Sequence, residues 1–221
     1  MNTVAGLFTN SESAAPAAPR ALLPGFDYYP GYYSPAAQQR LLDEVNAVLA
    51  AAPLFIQRMP KTGHSLSVRM SNAGEFGWVT DREQGYRYLE THPVTGKNWP
   101  PIPPMLAELW HDIAGYPAPT NLCLINFYDV EAKLGLHQDK GGESLEAPVV
   151  SVSLGDDARF LVGGSKRNDP TTPVRLHSGD IMCFGGPARL VYHGVARVYP
   201  NTSPLLIGGG RINLTLRRVE R

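Results

Sequence analysis

Cysteine, long apolar runs and an excess of one charge are all scarce in this 221-residue chain. Only two cysteines occur, Cys123 and Cys183, each inside an apolar run (Leu122-Cys123-Leu124 and Met182-Cys183-Phe184). That argues against a disulfide framework and for two buried thiols in a reducing compartment. No apolar run approaches the ~20 residues of a membrane-spanning helix, so no membrane partner is expected. Met1 to Pro19 carry no basic start and no long apolar stretch, so no secretory signal is read there and the expected location is the cytoplasm. The charges cancel, 20 Lys+Arg against 20 Asp+Glu. This excludes the blanket basic coat of a histone-like protein, but a local basic patch could still serve a nucleic-acid ligand.

What is present favours turns and strands. The hydrophobic share, 43%, can fill a core. The 22 Gly and 20 Pro favour many short strands over a helix bundle. Residues 1–25, rich in Ala, Pro and Ser, are expected to form a loose arm, and residues 26–221 a single domain. Ala36–Ala51 is the best helix. Its Leu41, Leu42, Val45, Val48 and Leu49 recur at three- and four-residue steps, and Pro53 stops it. A second helix starts near Pro103-Pro104, places Leu106, Leu109, Trp110 and Ile113 on one face, and ends at Gly115. Residues 59–104 mix Gly, Asn and Thr with Phe76, Trp78, Tyr86, Tyr88 and Trp99, and read as a loop-rich or hairpin lid.

From residue 120 the pattern turns to period two. Candidate strands are Asn121–Tyr128, Ala147–Leu154, Arg159–Val162, Asp180–Phe184, Ala188–Tyr192 and Arg211–Val219. Short strands at this spacing predict a sandwich or jelly roll over residues 120–221.

Leu136-His137-Gln138-Asp139 is the first sharp motif. Residues two apart in an extended segment point the same way, so His137 and Asp139 present imidazole and carboxylate on one side. His193, in Tyr192-His193-Gly194, could complete a set of two His and one carboxylate, which holds one face of Fe(II) and leaves positions open. Spacing alone does not choose the third ligand, because His177 also lies downstream. His177 precedes a turn-like Ser178-Gly179-Asp180 and is read as structural, while His64, His92 and His111 are expected to be exposed.

Arg211-Ile212-Asn213-Leu214-Thr215-Leu216-Arg217 alternates cleanly, with Arg211, Asn213, Thr215 and Arg217 on one face. A solvated edge face would explain the pattern. A polar interior would put two guanidiniums where they could take a dicarboxylate by forked hydrogen bonds. Asn126 and Tyr128, on one face of their own strand, are suitable extra donors. An open Fe(II) site beside a dicarboxylate site points to 2-oxoglutarate and O2 as co-substrates.

These motifs together resemble the AlkB family of Fe(II)/2-oxoglutarate dioxygenases, its bacterial members in particular. The stretches that carry the resemblance are Cys123-Leu124-Ile125-Asn126-X-Tyr128, Lys133-Leu134-X-Leu136-His137-Gln138-Asp139-Lys140 and Ala147-Pro148-Val149-Val150-Ser151-Val152-Ser153-Leu154-Gly155. They continue through Gly163-Gly164-X-Lys166-Arg167-Asn168-Asp169-Pro170, Tyr192-His193-Gly194 and Arg211-X-Asn213-Leu214-Thr215-X-Arg217. Gly77-Trp78-X-Thr80 and Gln84-Gly85-Tyr86-X-Tyr88 match more loosely.

The resemblance implies a mainly β fold with flanking helices, built on a double-stranded β-helix (jelly-roll) core with a nucleotide-recognition lid. His137, Asp139 and His193 would bind Fe(II). Arg211, Asn126 and Tyr128 would hold the distal carboxylate of 2-oxoglutarate, supported by Asn213 and Thr215, with Arg217 near the metal-chelating end. The implied reaction is oxidative demethylation of N-alkylated bases such as 1-methyladenine and 3-methylcytosine, releasing formaldehyde. The implied partner is alkylated single-stranded DNA, with duplex DNA and RNA as further candidates, and the protein is expected to act as a monomer.

A methyl group on a Watson–Crick edge is hidden in a duplex, so the base must be single-stranded or flipped out. Trp78 is the candidate stacking wall, with Tyr86, Tyr88, Arg167 and Lys140 as further substrate contacts. Gly141 stands where the bacterial pattern has an acidic base contact, and Glu143 lies two residues on. With Arg211, Arg217 and Asp139 committed inside, a few local groups such as Lys140, Arg167 and either Arg82 or Arg87 are left to grip phosphates, which predicts a short footprint and a shallow salt dependence. The competing expectations are a 2-oxoglutarate dioxygenase acting on a protein or small molecule, and a non-catalytic nucleic-acid-binding module. Intact His137, Asp139 and His193 argue against the module.

Overall fold

A computed structural model describes residues 18–140 and 144–220. Most of the expected arm, residues 1–17, lies outside the described residues, as do Gly141 and Glu143. In chain order the elements are β1 (Arg20–Leu23), β2 (Phe26–Tyr29), α1 (Pro35–Ala51), β3 (Phe55–Arg58), β4 (Ser65–Gly74), β5 (Gly77–Asp81), β6 (Gly85–Leu89) and α2 (Pro104–Ile113). Then follow β7 (Leu122–Tyr128), β8 (Leu134–His137), β9 (Val149–Gly155), β10 (Asp157–Val162), β11 (Thr172–Leu176), β12 (Ile181–Phe184), β13 (His193–Tyr199) and β14 (Arg211–Arg217).

Eight strands form the larger sheet, in the order β1-β2-β12-β9-β14-β7-β4-β3, and four form the smaller, β11-β10-β13-β8. β5 and β6 make a separate hairpin. The mainly β, jelly-roll expectation holds. Among the described residues no helix is long and apolar enough to cross a membrane.

The layers follow from period-two alternation. On β14, Ile212, Leu214 and Leu216 join Cys123 and Ile125 of β7 and Val150, Val152 and Leu154 of β9 in one core, packed against Leu41, Val45, Leu106, Leu109 and Trp110 of the helices. The opposite faces supply Leu122 and Leu124 of β7, Val149 of β9, Met182 and Phe184 of β12 to a second core, shared with Phe160, Val162, Val195 and Val198 of the smaller sheet. β14 is thus buried along its whole length, and its polar face looks into the space between the sheets. α1 starts where Ser34 accepts a hydrogen bond from the Ala37 N–H and Pro35 occupies the first turn.

Several elements differ from the sequence expectation. Residues 20–25, assigned to the loose arm, begin a hairpin at the edge of the larger sheet. Phe26 and Tyr28 are buried there, and Phe26 stacks on Phe184 at 4.7 Å. Residues 65–74, assigned to the lid, are a ten-residue strand of the larger sheet paired with β7; Leu66, Val68 and Met70 already carried the period-two signal among polar neighbours. Ala188–Tyr192 is not a strand. Gly186–Ala188 forms a 3-10 turn around Pro187, which has no N–H to give a ladder, and the strand begins at His193 instead. β8 and β11, not anticipated, are short strands of the smaller sheet.

Candidate active site

Two of the three proposed metal ligands come from adjacent strands. His193, first residue of β13, pairs directly with His137, last residue of β8. Gly194 permits this approach, since a Cβ there would lie 2.6 Å from the Leu134 carbonyl oxygen and 2.9 Å from that of Gly135. The imidazole centroids are 4.5 Å apart. Asp139 lies two residues beyond His137, with Oδ1 3.6 Å from His137 Nε2 and Oδ2 3.7 Å from His193 Nε2. Those separations are too long for hydrogen bonds and suit atoms that converge on a common cation. All three ligand atoms lie within 4.8 Å of one another.

Both imidazoles are oriented by the backbone. Nδ1–H of His137 donates to the Gly135 carbonyl at 2.9 Å, and Nδ1–H of His193 to the Val191 carbonyl at 3.0 Å. Each Nε2 lone pair is thereby turned toward Asp139, the arrangement a metal-binding histidine needs. His193 is also held between Phe160 and Phe184. Burial drives its pKa down to about 4 despite the Asp139 charge, so it is neutral at pH 7. Burial pushes the Asp139 carboxyl up, but Arg217 foremost among its cationic neighbours outweighs this and holds it at about 2. Arg217 Nη2 donates to Asp139 Oδ1 at 2.7 Å. Two imidazoles and one carboxylate, with no thiolate, fit Fe(II) with positions left open.

Arg211 is 1% exposed. Its Nη2 donates to Ser153 Oγ at 2.8 Å, while its Nε and Nη1 are buried with no hydrogen-bond partner among the described residues. Burial lowers its pKa. A buried, half-bonded guanidinium costs several kcal/mol unless an anion meets it. Tyr128 lies beside it, 5.5 Å from ring centroid to guanidinium carbon, and burial pushes its hydroxyl up to about 12, so it remains a donor. The Asn126 amide nitrogen donates to Asn213 Oδ1 at 3.4 Å, and Asn126 Oδ1 is buried with no hydrogen-bond partner among the described residues. Asn213 accepts from Thr215 at 3.0 Å and donates to Ser151 at 2.7 Å. The orphaned fork beside a protonated phenol fits the distal carboxylate of 2-oxoglutarate.

Both sets border one cavity of about 730 Å³ between the sheets, ample for a dicarboxylate and a base. Trp78 and Tyr86 line it and stack on each other, centroids 5.6 Å apart and planes 24° from parallel. Exposed Arg167 and Lys140 also line it, and Arg167 sits 5.4 Å above the Tyr192 ring. Tyr88 does not line it; it packs half-buried against the inter-sheet core beneath the hairpin. Arg87 is paired with Asp81 at 2.6 Å. His177, 56% exposed, pairs with Asp157 on the surface, away from the triad.

His92, expected to be exposed, is 1% exposed. Its Nε2–H donates to the Pro53 carbonyl and its Nδ1 accepts from the Val94 and Thr95 N–H groups, so it knits a loop.

Sequence reasoning missed Arg189. This buried side chain donates to the backbone carbonyls of Asp139 at 2.6 Å and Ala147 at 2.9 Å, bracing the turn that carries the carboxylate. It sits in a Gly/Pro-bounded stretch misread as a strand, so nothing in the local pattern singled it out. Gln57 and Asn72 were missed as well. Their buried carboxamides bond the Trp78 backbone, and Gln57 also accepts from the Thr80 N–H, which fixes the hairpin over the cavity. Gly77 lies flat against Trp99, where any side chain would collide.

A model of the 2OG-Fe(II) oxygenase superfamily matches residues 25–217. An alpha-ketoglutarate-dependent dioxygenase AlkB homolog of Caulobacter vibrioides is 46% identical over 204 residues, 92% of each chain. The alpha-ketoglutarate-dependent dioxygenase AlkB of Escherichia coli is 44% identical over 189 residues, 84% of this chain and 86% of that one. Among solved structures, that of OsALKBH1 superposes with a TM-score of 0.76 at 30% identity, covering 91% of this chain and all of the other.

Proposed function

The chain belongs to the AlkB family of the 2OG-Fe(II) oxygenase superfamily and is an Fe(II)/2-oxoglutarate-dependent dioxygenase; from that membership we propose that it oxidatively demethylates N-alkylated nucleobases in DNA or RNA. The relatives' names support this substrate class, since they include a nucleic acid dioxygenase of Mus musculus and a tRNA demethylase of Schizosaccharomyces pombe. One observation carries the proposal. The His137–Asp139–His193 triad, the orphaned Arg211 fork and the Trp78–Tyr86 stack border the same cavity.

With Fe(II) and 2-oxoglutarate bound, the site supplies O2-driven hydroxylation of an N-methyl group, balanced by oxidation of 2-oxoglutarate to succinate and CO2, and the hydroxymethyl product then sheds formaldehyde. His137, Asp139 and His193 bind the metal through Nε2, carboxylate and Nε2. Arg217 keeps the carboxylate ionised and aimed. The Arg211 fork takes the distal carboxylate, with the Tyr128 hydroxyl and the Asn126 amide as further donors, and Asn213 and Thr215 orient that wall. Trp78 and Tyr86 stack on the unpaired base, a contact of about 1–3 kcal/mol per base. Arg167 and Lys140, at the mouth, take phosphate or base edges. The apolar lining from Phe160, Phe184 and Leu124 excludes water from the reacting centre.

Within the same proposal the substrates are 1-methyladenine and 3-methylcytosine in single strands, where no flipping cost arises. The protein acts as a monomer in the cytoplasm, in keeping with its two buried free thiols. Incubation with Fe(II), 2-oxoglutarate and a 1-methyladenine oligonucleotide is expected to yield adenine and formaldehyde. Failure to demethylate any member of a panel of methylated and etheno-modified DNA and RNA overturns the proposal. Turnover of 2-oxoglutarate stimulated only by a protein or small molecule would do so as well.

A further inference from the structure

The outer face of the smaller sheet carries a row of arginines that the cavity does not use. Arg159 of β10 stands opposite Arg175 of β11 on one side and Arg197 of β13 on the other, and all three are exposed. Neighbouring strands lie ~4.8 Å apart, so the row is about 10 Å wide. Like charges placed directly opposite one another destabilise a strand pair.

A β-bulge creates the row. His193 and Val195 point inward, and strict alternation would send Arg197 inward too. The register shift between Arg159 and Phe160 leaves one extra residue on β13, Ala196, which turns Arg197 outward beside Arg159.

The row is partly ordered. The Tyr199 ring lies under Arg175 at 4.5 Å and under Arg197 at 5.1 Å. A stacked guanidinium keeps its N–H edges for another ligand. Asp157 pairs with Arg175 at 2.8 Å and so offsets one charge. Arg159 and Arg197 have no acidic partner within ion-pair distance among the described residues.

We propose that this row is a second nucleic-acid contact, gripping backbone phosphates that flank the modified base. The inference rests on the nucleic-acid reading of the cavity. Two observations favour a nucleic acid over an acidic protein. A single strand carries one charge per ~3.4 Å, roughly three over the width of the row, a density that matches three clustered guanidiniums. The row is also continuous with the mouth, because β10 runs from Arg159 to Val162, about 10 Å along the strand, and on into the loop that bears Arg167. The three arginines add to Lys140 and Arg167 at the mouth and lengthen the expected footprint.

The test is fluorescence anisotropy of unmodified 3-nucleotide and 20-nucleotide oligomers, across salt, with the full chain. It compares the wild type, an Arg159→Gln/Arg175→Gln/Arg197→Gln variant and an Arg159→Glu variant. Arg159 makes neither the Tyr199 stack nor the Asp157 pair, so the single change leaves the local structure in place. The triple variant is expected to bind the 20-mer about 10-fold more weakly, with its log–log salt slope shallower by about 2, since each phosphate contact contributes ~0.7–0.9. The single variant is expected to lose about 5-fold, and trimer affinity to stay unchanged.

Wild-type affinity and slope in both variants, or loss of trimer and 20-mer binding alike, would overturn the proposal and leave the face to an acidic protein partner. A row that weakens 20-mer binding as expected, in a protein that demethylates nothing, would sustain this inference while the demethylase reading fails.

Discussion

The two ends of the cavity are built differently. At the metal and co-substrate end most polar side chains are buried and held by a fixed neighbour. Arg217 holds Asp139, backbone carbonyls hold His137 and His193, Arg189 holds the turn, and Ser153 holds Arg211. At the mouth the contacts are half-buried or exposed: Trp78 and Tyr86 stack on each other, and Lys140 and Arg167 reach into solvent. A fixed inner end suits one invariant reaction, and a looser mouth suits flexible strands bearing different lesions. Disruption should therefore be absolute at one end and graded at the other.

The largest effect is expected from Asp139→Ala. Turnover should fall below detection with any substrate, while the circular dichroism of the strands persists, because Asp139 lies just outside β8. Retained activity would remove it from the ligand set. Next is Arg211→Met. Loss of a charge-assisted contact of about 3 kcal/mol predicts a KM for 2-oxoglutarate raised roughly 100-fold, with the KM for oligonucleotide nearly unchanged. A rise in both would mean that the two ends are not separate. Trp78→Ala should reverse the pattern. The oligonucleotide KM should rise about 10-fold or more, and 2-oxoglutarate consumption without substrate should stay at the wild-type rate. The smallest effect belongs to Tyr88→Phe, which lies off the cavity and should change steady-state constants by less than about twofold; a Trp78-sized loss would return Tyr88 to the substrate wall.

The same contrast decided what could be read from the sequence. β14 was legible because strict alternation sent its apolar residues to the helices and its polar ones to the cavity. His137-X-Asp139 was legible as a pair, since period two puts both on one side. The third ligand was not, because strand pairing, not chain spacing, brings His193 opposite His137 and leaves His177 outside. Arg189 acts through backbone carbonyls distant in sequence, a role with no local pattern. Tyr86 and Tyr88 share strand parity, and only the docking of the hairpin, held by Gln57 and Asn72, tells them apart. The arginine row depends on a single bulged residue, which composition cannot register. β4 was missed for another reason: its Ser and Asn residues masked a regular apolar alternation.

The central claim is that the triad and the Arg211 fork form one site for Fe(II) and 2-oxoglutarate. Anaerobic titration with Fe(II) and then 2-oxoglutarate, followed by visible absorption, tests it most directly. A metal-to-ligand charge-transfer band is predicted for the wild type. It should be absent in Asp139→Ala, and in Arg211→Met it should return only at far higher 2-oxoglutarate. No band in the wild type, or an equal band in all three proteins, would contradict the account.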